Sequence, residues 1–263
     1  MSKAPIILST FALSHFCENA RWALDYKGVS YTEESWAPVL HFFRTWHLQK
    51  THTPVLRIDG KVIQESAEIC EYLEKRFPER SLIPVQLREE VLGVAQEARS
   101  IGPHVRRLAY WAIGQELELL EQAWALNVGP AEARIQQLVF PLSRRMAFKG
   151  MQVNEQATKE SEVLVRDFLD ARNAQFVEPD RYLVGDRFTL ADLTMASMLS
   201  PLARPQEHPF YARMAMGKAA EALLESFRSD PMIAWVKDCY ARHRSPGVQM
   251  RRCRGNLTCI DIT

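Results

Sequence analysis

"TPVLRIDGKVIQESAEICEYLEKRFP", residues 53–78, carries three local signals in a row. Val55, Leu56 and Ile58 run into Asp59-Gly60, and Val62 and Ile63 run out of it. An Asp-Gly pair between two apolar runs marks a tight hairpin, because both central residues of that turn need positive φ. Ser66 then opens a helical repeat through Ile69, Cys70, Tyr72, Leu73 and Phe77. Strand, strand and helix are expected, led in by Thr53-Pro54.

Upstream, residues 5–11 read as a buried strand and 14–27 as a helix ended by Gly28. Residues 29–36 read as a second strand and 39–50 as a helix carrying Phe42, Phe43 and Trp46. The order is therefore β-α-β-α-β-β-α. Residues 78–86, "PERSLIPVQ", lack periodicity and read as a linker. Beyond them the spacing predicts helices over 89–126, 131–150, 155–176, 190–202, 211–227 and 232–242, with Pro103 breaking or bending the first. The change from α/β to all-α implies two domains, residues 1–80 and 87–244. A basic tail, 245–263, follows with Arg251, Arg252, Arg254 and an Asn-Leu-Thr sequon.

The chain has 263 residues, 47% of them hydrophobic, and a formal net charge of +1. The charge balance argues against nucleic acid or an acidic membrane surface as partner. No apolar run approaches the roughly 18 residues of a membrane span. "MSKAPIIL" lacks the features of a secretory signal, so a cytoplasmic location is expected. The cysteines, Cys17, Cys70, Cys239, Cys253 and Cys259, have no metal-knuckle spacing, and free thiols with no metal site are expected. Cys70 lies on an apolar helix face and reads as core.

Two further stretches complete a pattern: "ALSHFCENARWAL" (12–24) and "LVGDRFTLADLTMASML" (183–199). With residues 53–78 they resemble the glutathione transferase superfamily. The resemblance implies an α/β thioredoxin-like N-terminal domain and an all-α C-terminal domain, glutathione as co-substrate, and a homodimer. It implies a cis Thr53-Pro54 bond, with the Thr53 backbone holding the cysteinyl part of glutathione; an ordinary trans proline at a strand edge is the plain alternative. Val55 belongs to the same binding stretch. Ser66, at a helix start where free N–H groups suit an anion, takes the γ-glutamyl carboxylate, and Glu65 faces the ligand's ammonium. Ser66 is also a plain helix cap. Thr189 and Asp192 have capping-box spacing, with Phe188 and Leu193 set for a hydrophobic staple; this is a folding element.

Ser14 and Cys17 lie one turn apart at the start of the first helix. A serine there hydrogen-bonds glutathione thiolate for attack on a small hydrophobic electrophile. A cysteine instead exchanges disulfides with glutathione. The aligned catalytic position is Ser14, which is also a plain helix cap; Cys17 falls where the second cysteine of a Cys-x-x-Cys redox pair would lie, one turn into the helix, and reads as a buried small residue. The family's Asn-Pro before the cis-proline segment is replaced by Leu48-Gln49. Arg44, Lys50 and His41 remain open for the glycyl carboxylate. His15 and His52 are open as general bases or ligand contacts but read better as exposed, and Arg106 and Arg107 either draw an acidic substrate or, the preferred reading, face solvent. Tyr110 and Trp111 line a pocket by resemblance, or core by spacing alone. The expected function is a glutathione transferase; the alternatives are a thiol transferase or reductase through Cys17, and a non-catalytic binding protein of the same fold.

Overall fold

Four short strands form one mixed sheet in the order β2-β1-β3-β4. The computed structural model describes residues 5–175 and 181–244, so the basic tail and its sequon lie outside the described residues. Strand β1 (Ile7–Thr10) runs parallel to β2 (Thr32–Ser35) and antiparallel to β3 (Val55–Ile58), which pairs antiparallel with β4 (Lys61–Gln64). The hairpin turns at Asp59 and Gly60, with φ of 50° and 74°, the left-handed geometry that such a turn requires. Helices α1 (His15–Tyr26) and α3 (Ser66–Arg76) pack together, and each sends apolar residues, among them Leu24 and Ile69, into the main core. Only α2 (Phe42–Thr45), a single turn, forms within 39–50. Val39 sits at φ 69°, outside helical geometry, so the expected longer helix does not start there.

Among the described residues the second half is mostly helical: α4 (Arg88–Ile113), α5 (Leu117–Ala125), α6 (Pro130–Gly150), α7 (Glu155–Gln175), α8 (Leu190–Ala203), α9 (Lys218–Ser226) and α10 (Pro231–His243). The helix expected over 89–126 passes through Pro103 and breaks at Gly114 instead. A Cβ at Gly114 would lie 2.7 Å from the Phe148 ring, so the close packing of α6 on the end of α4 requires a glycine there. The helix expected over 211–227 is a short turn at Tyr211–Arg213 followed by α9.

Helix α8 is apolar on nearly all sides and is the central element, packed against α4, α1 and α10. Its capping box is present. Ala191 N–H donates to Thr189 Oγ1 (3.3 Å), and Thr189 N–H donates to Asp192 Oδ2 (2.8 Å). Asp192 Oδ1 also accepts from Leu183 N–H at 2.7 Å, tying the preceding loop to the cap.

The two halves are bolted together by polar contacts. Asn19 Nδ2 donates to Thr194 Oγ1 (3.1 Å), Trp22 Nε1 to the His243 carbonyl (3.3 Å) and Leu190 N–H to the Leu82 carbonyl (2.7 Å). Lys27 Nζ reaches Glu74 Oε2 and the carbonyls of Phe77 and Arg80, all within 3.0 Å, so the connecting segment is pinned.

A buried charge cluster runs through the same region. Arg21 Nη2 pairs with Glu33 Oε1 on β2 (2.7 Å) and Nη1 with Glu18 Oε2 (2.5 Å), all three side chains fully buried. Arg244, just past α10, reaches Glu18 (2.7 Å) and Asp25 (2.7 Å). Burial works against the Glu18 carboxylate, yet the charges of Arg244, His208 and Arg21 hold its pKa well below the ordinary value.

His15, expected at the surface, is 3% exposed, because the first turn of α1 faces α4 rather than solvent. Burial, helped by the Arg106 charge and opposed by a hydrogen bond to the Gly102 backbone, pushes its pKa down to about 3. His41 is 6% exposed; burial and the nearby His52, opposed by a hydrogen bond to the Thr51 backbone, bring it to about 4.

Three stability predictions follow from these contacts. Arg21→Met leaves Glu18 and Glu33 buried without their cation, and urea unfolding should show a loss of about 3–5 kcal/mol. Thr189→Ala removes the α8 cap and should cost about 1 kcal/mol in the same assay. Because His15 and His41 have folded pKa values below the unfolded value of 6.5, the unfolded chain binds the extra protons as pH falls. Stability is therefore full above about pH 6.5 and lost below it, each histidine contributing a slope approaching ~1.4 kcal/mol per pH unit. His15→Gln should flatten the melting-temperature profile between pH 6.5 and 5.

Candidate functional site

A cleft of about 770 Å³ opens between the two halves. One wall comes from residues 11–16 and from the segments carrying His41, Thr53 and Glu65. The other comes from α4, α5 and the stretch beyond α8, with Arg106, Tyr110, Leu120, Trp124 and Tyr211.

Ser14 sits on the first wall because it caps α1. Its backbone is extended (φ −73°, ψ 120°), and its Oγ accepts the Cys17 N–H at 3.3 Å. That bond uses a lone pair of the oxygen, and the hydroxyl also lies within hydrogen-bond reach of the Cys17 thiol. Cys17 is different. It has no solvent exposure and lies off the wall. Its thiol donates to Thr53 Oγ1 (3.4 Å), and its sulfur accepts from Phe11 N–H (3.4 Å). Burial raises its pKa above the ordinary thiol value despite the Ser14 and Thr53 contacts. The thiol thus joins three chain segments and stays protonated. Cys70 is likewise buried, its pKa pushed up to about 11 by burial.

The Thr53-Pro54 bond is cis, and Thr53 lines the cleft. The Val55 side chain points into the core, in register with Ser9 and Gln64, and does not reach the wall. Ser66 begins α3 but is 2% exposed and also lies off the wall. Glu65 does line it, with an unusual φ of 73° that swings its side chain off the helix start. Its Oε1 meets His52 Nε2 at 2.5 Å and Lys50 Nζ at 3.3 Å. Burial raises the Glu65 pKa, but these two partners outweigh it and hold the carboxyl below its ordinary value. His52 is exposed, as its sequence context suggests.

Of the three basic candidates for a carboxylate, Arg44 is held by Glu132 of α6, and Lys50 bridges Glu65 and Glu68. His41 alone is on the wall with a free acceptor or donor, its Nδ1 buried without a partner. Tyr110 lines the cleft and Trp111 does not. Sequence reasoning also missed Trp124, whose ring stacks edge-on to Phe140 at 5.5 Å and lies 6.4 Å from Tyr110. The apolar repeat of α5 was its only signal. Arg106, read as solvent-facing, lines the cleft as well; its place one turn from Tyr110 on the same helix face was the available clue.

Helices α5 and α6 are strapped to the sheet. Val128 pairs with Ser35 at the end of β2, Asn127 Nδ2 donates to Ser35 Oγ (3.1 Å), and Glu132 Oε1 accepts Ala37 N–H (2.8 Å). Among the described residues no group of three or more His, Cys, Asp or Glu side chains is placed to hold a metal ion, and no helix is long and apolar enough to cross a membrane.

Two family profiles match the chain: the glutathione S-transferase N-terminal domain over residues 8–81 and the glutathione S-transferase C-terminal domain over residues 131–223. No curated protein sequence matches it significantly. Similar solved structures include the β-etherase LigF of Sphingobium sp. strain SYK-6, 23% identical over 91% of this chain and 100% of that one, with a TM-score of 0.56. Another is glutathione transferase GSTFuA2 of Phanerochaete chrysosporium, 15% identical over 92% and 99% of the two chains, with a TM-score of 0.61. A third is a glutathione S-transferase of Ceriporiopsis subvermispora in complex with glutathione, 16% identical over 94% and 99%, with a TM-score of 0.55. A mixed sheet bearing a cis Thr-Pro, a capped α1 on a shared cleft, a boxed central helix and both matched domains together show that this chain belongs to the glutathione S-transferase superfamily.

Proposed function

We propose that the protein is a glutathione transferase in which Ser14 stabilises the thiolate of glutathione for attack on an apolar electrophile. The observation that carries this reading is the contrast at the start of α1: Ser14 lines the cleft wall, and the Cys17 thiol has no exposure at all. A hydroxyl hydrogen bond favours the charged form of sulfur and lowers its pKa. The thiol proton leaves to solvent. The sulfur then forms a bond to the electrophilic carbon, and the leaving group departs with its bonding pair.

Glutathione lies along the first wall in this reading, its cysteinyl part on the Thr53 backbone and its γ-glutamyl end at Glu65 and the start of α3 with Ser66. The Glu65 carboxylate is already engaged by His52 and Lys50, so the ligand's ammonium exchanges with one of them. Val55 supports the Thr53 stretch from the core. The electrophile occupies the apolar wall of Tyr110, Leu120 and Trp124. The same reading places the protein in the cytoplasm as a homodimer. Thiol exchange through Cys17 is disfavoured by its burial and raised pKa.

Ser14→Ala should lower kcat/KM with glutathione and a chloronitroaryl halide about 10- to 100-fold at neutral pH, one to two pKa units of lost thiolate stabilisation. Far-UV circular dichroism should show the fold intact despite the lost cap. Cys17→Ala should keep most of the activity. The reverse pattern would mean thiol exchange, and a folded protein that neither binds glutathione nor turns over would mean a binding role.

A further inference from the structure

Among the described residues Arg106 is a cation with no ion-pair partner. It lies on α4 one turn before Tyr110, with its guanidinium carbon 6.0 Å from the Phe16 ring centroid, on the cleft wall beside Ser14 and His15. Its neighbour Arg107 turns the other way and is satisfied by Ser161 Oγ (2.5 Å), Gln152 Oε1 (3.3 Å) and the Met151 carbonyl (3.3 Å). The Arg106 Nε is buried with no hydrogen-bond partner, and among the described residues its guanidinium has no ion pair. Two acids share the cleft wall. Glu65 is engaged by Lys50 and His52, and the Glu116 carboxylate lies against the Gly217 backbone at the start of α9, where a side chain at Gly217 would collide with it. Burial pulls the Arg106 pKa down, opposed by the Tyr110 hydroxyl, un-ionised near neutral pH, and reinforced by the like charge of Arg107.

A half-buried guanidinium without a counter-charge is costly to the free protein, and a carboxylate that enters the cleft recovers that cost through a bidentate, charge-assisted contact. The surroundings are apolar: Ala109, Tyr110, Ile113 and Trp124 share the wall. The site is therefore built for a molecule with one anionic end and an apolar body. We propose that Arg106 determines specificity for the second substrate by binding a carboxylate-type anion on an otherwise apolar electrophile. This rests on the transferase reading above. With a chloronitrobenzoate as example, the glutathione sulfur bonds to the ring carbon that carries chlorine, chloride leaves with the bonding pair, and the carboxylate and the Arg106 cation pass through unchanged.

The test separates the anion site from the chemistry. Binding of naphthoate and of naphthamide is followed by tryptophan fluorescence, without glutathione, in the wild type, Arg106→Gln and Arg106→Lys. The wild type should prefer naphthoate by about tenfold or more, the scale of a hydrogen-bonded charge contact. Arg106→Gln should lose that preference with naphthamide affinity unchanged, and Arg106→Lys should keep part of it. Equal affinities in the wild type, or a preference that survives Arg106→Gln, would overturn the proposal. Arg106→Gln should melt at or above the wild-type temperature, since it removes an unpaired charge, and this confirms that it is folded. In turnover with glutathione, Arg106→Gln should raise KM for a chloronitrobenzoate about tenfold and leave the matching chloronitrobenzamide unaffected. Equal losses on both would place Arg106 at the sulfur and overturn it too. Absence of turnover on both, with the naphthoate preference intact in the wild type and lost in Arg106→Gln, would sink only the transferase reading.

Discussion

Arg21 has no contact with solvent, and its guanidinium reaches Glu33 on the sheet and Glu18 on its own helix. Each of these charges loses several kcal/mol of hydration on burial, which only a complete set of close partners offsets. The partners come from distant parts of the chain: β2, α1 and Arg244 beyond α10. The cluster therefore admits one placement of α1 against the sheet and against the end of the helical half. Thr10 Oγ1, donating to Glu33 Oε1 at 2.8 Å, extends the same constraint into β1. Ser14 lies one turn ahead of this anchor, so its position on the cleft inherits the precision of the cluster.

The start of α1 divides its labour between two polar side chains. Ser14 faces the cleft and satisfies the helix end at the same time, because the cap takes a lone pair and not the proton. Cys17 turns inward and ties the Phe11 and Thr53 backbones' neighbourhoods together through its sulfur. A thiol is small and weakly polar, so it fills that gap without the desolvation cost of a hydroxyl with incomplete bonding. The stretch that looked like a redox pair is thus a surface hydroxyl mounted over a structural thiol.

What the sequence revealed was local. Asp59-Gly60, the Ser14 cap, Gly28, and the Thr189 and Asp192 box are each fixed by chemistry within a few residues, and all are present. What it concealed depends on side chains far along the chain. The need for a glycine at 114 comes from Phe148, and the burial of His15 and the inward turn of Arg106 follow from the packing of α1 on α4. The spread of Val39 into the left-handed region, which shortens α2, has no local signature either. The site divides in the same way. Thr53 and Glu65 line the cleft, but the Ser66 and Val55 side chains are buried and, like Trp111, are not among its wall residues. The stretch that bears Arg106, Tyr110 and Trp124 falls between the two matched family domains, where neither profile informs it.

The strap from Val128 to Ser35, backed by Asn127 and Glu132, leans α5 and α6 on the rim of the sheet instead of on the central core. These helices have their own small apolar nucleus of Leu120, Trp124 and Phe140. The roof of the cleft is thus clipped on at the margin of the molecule. Substitutions in its lining can alter the size and polarity of the cleft with little strain on the sheet and the central helix.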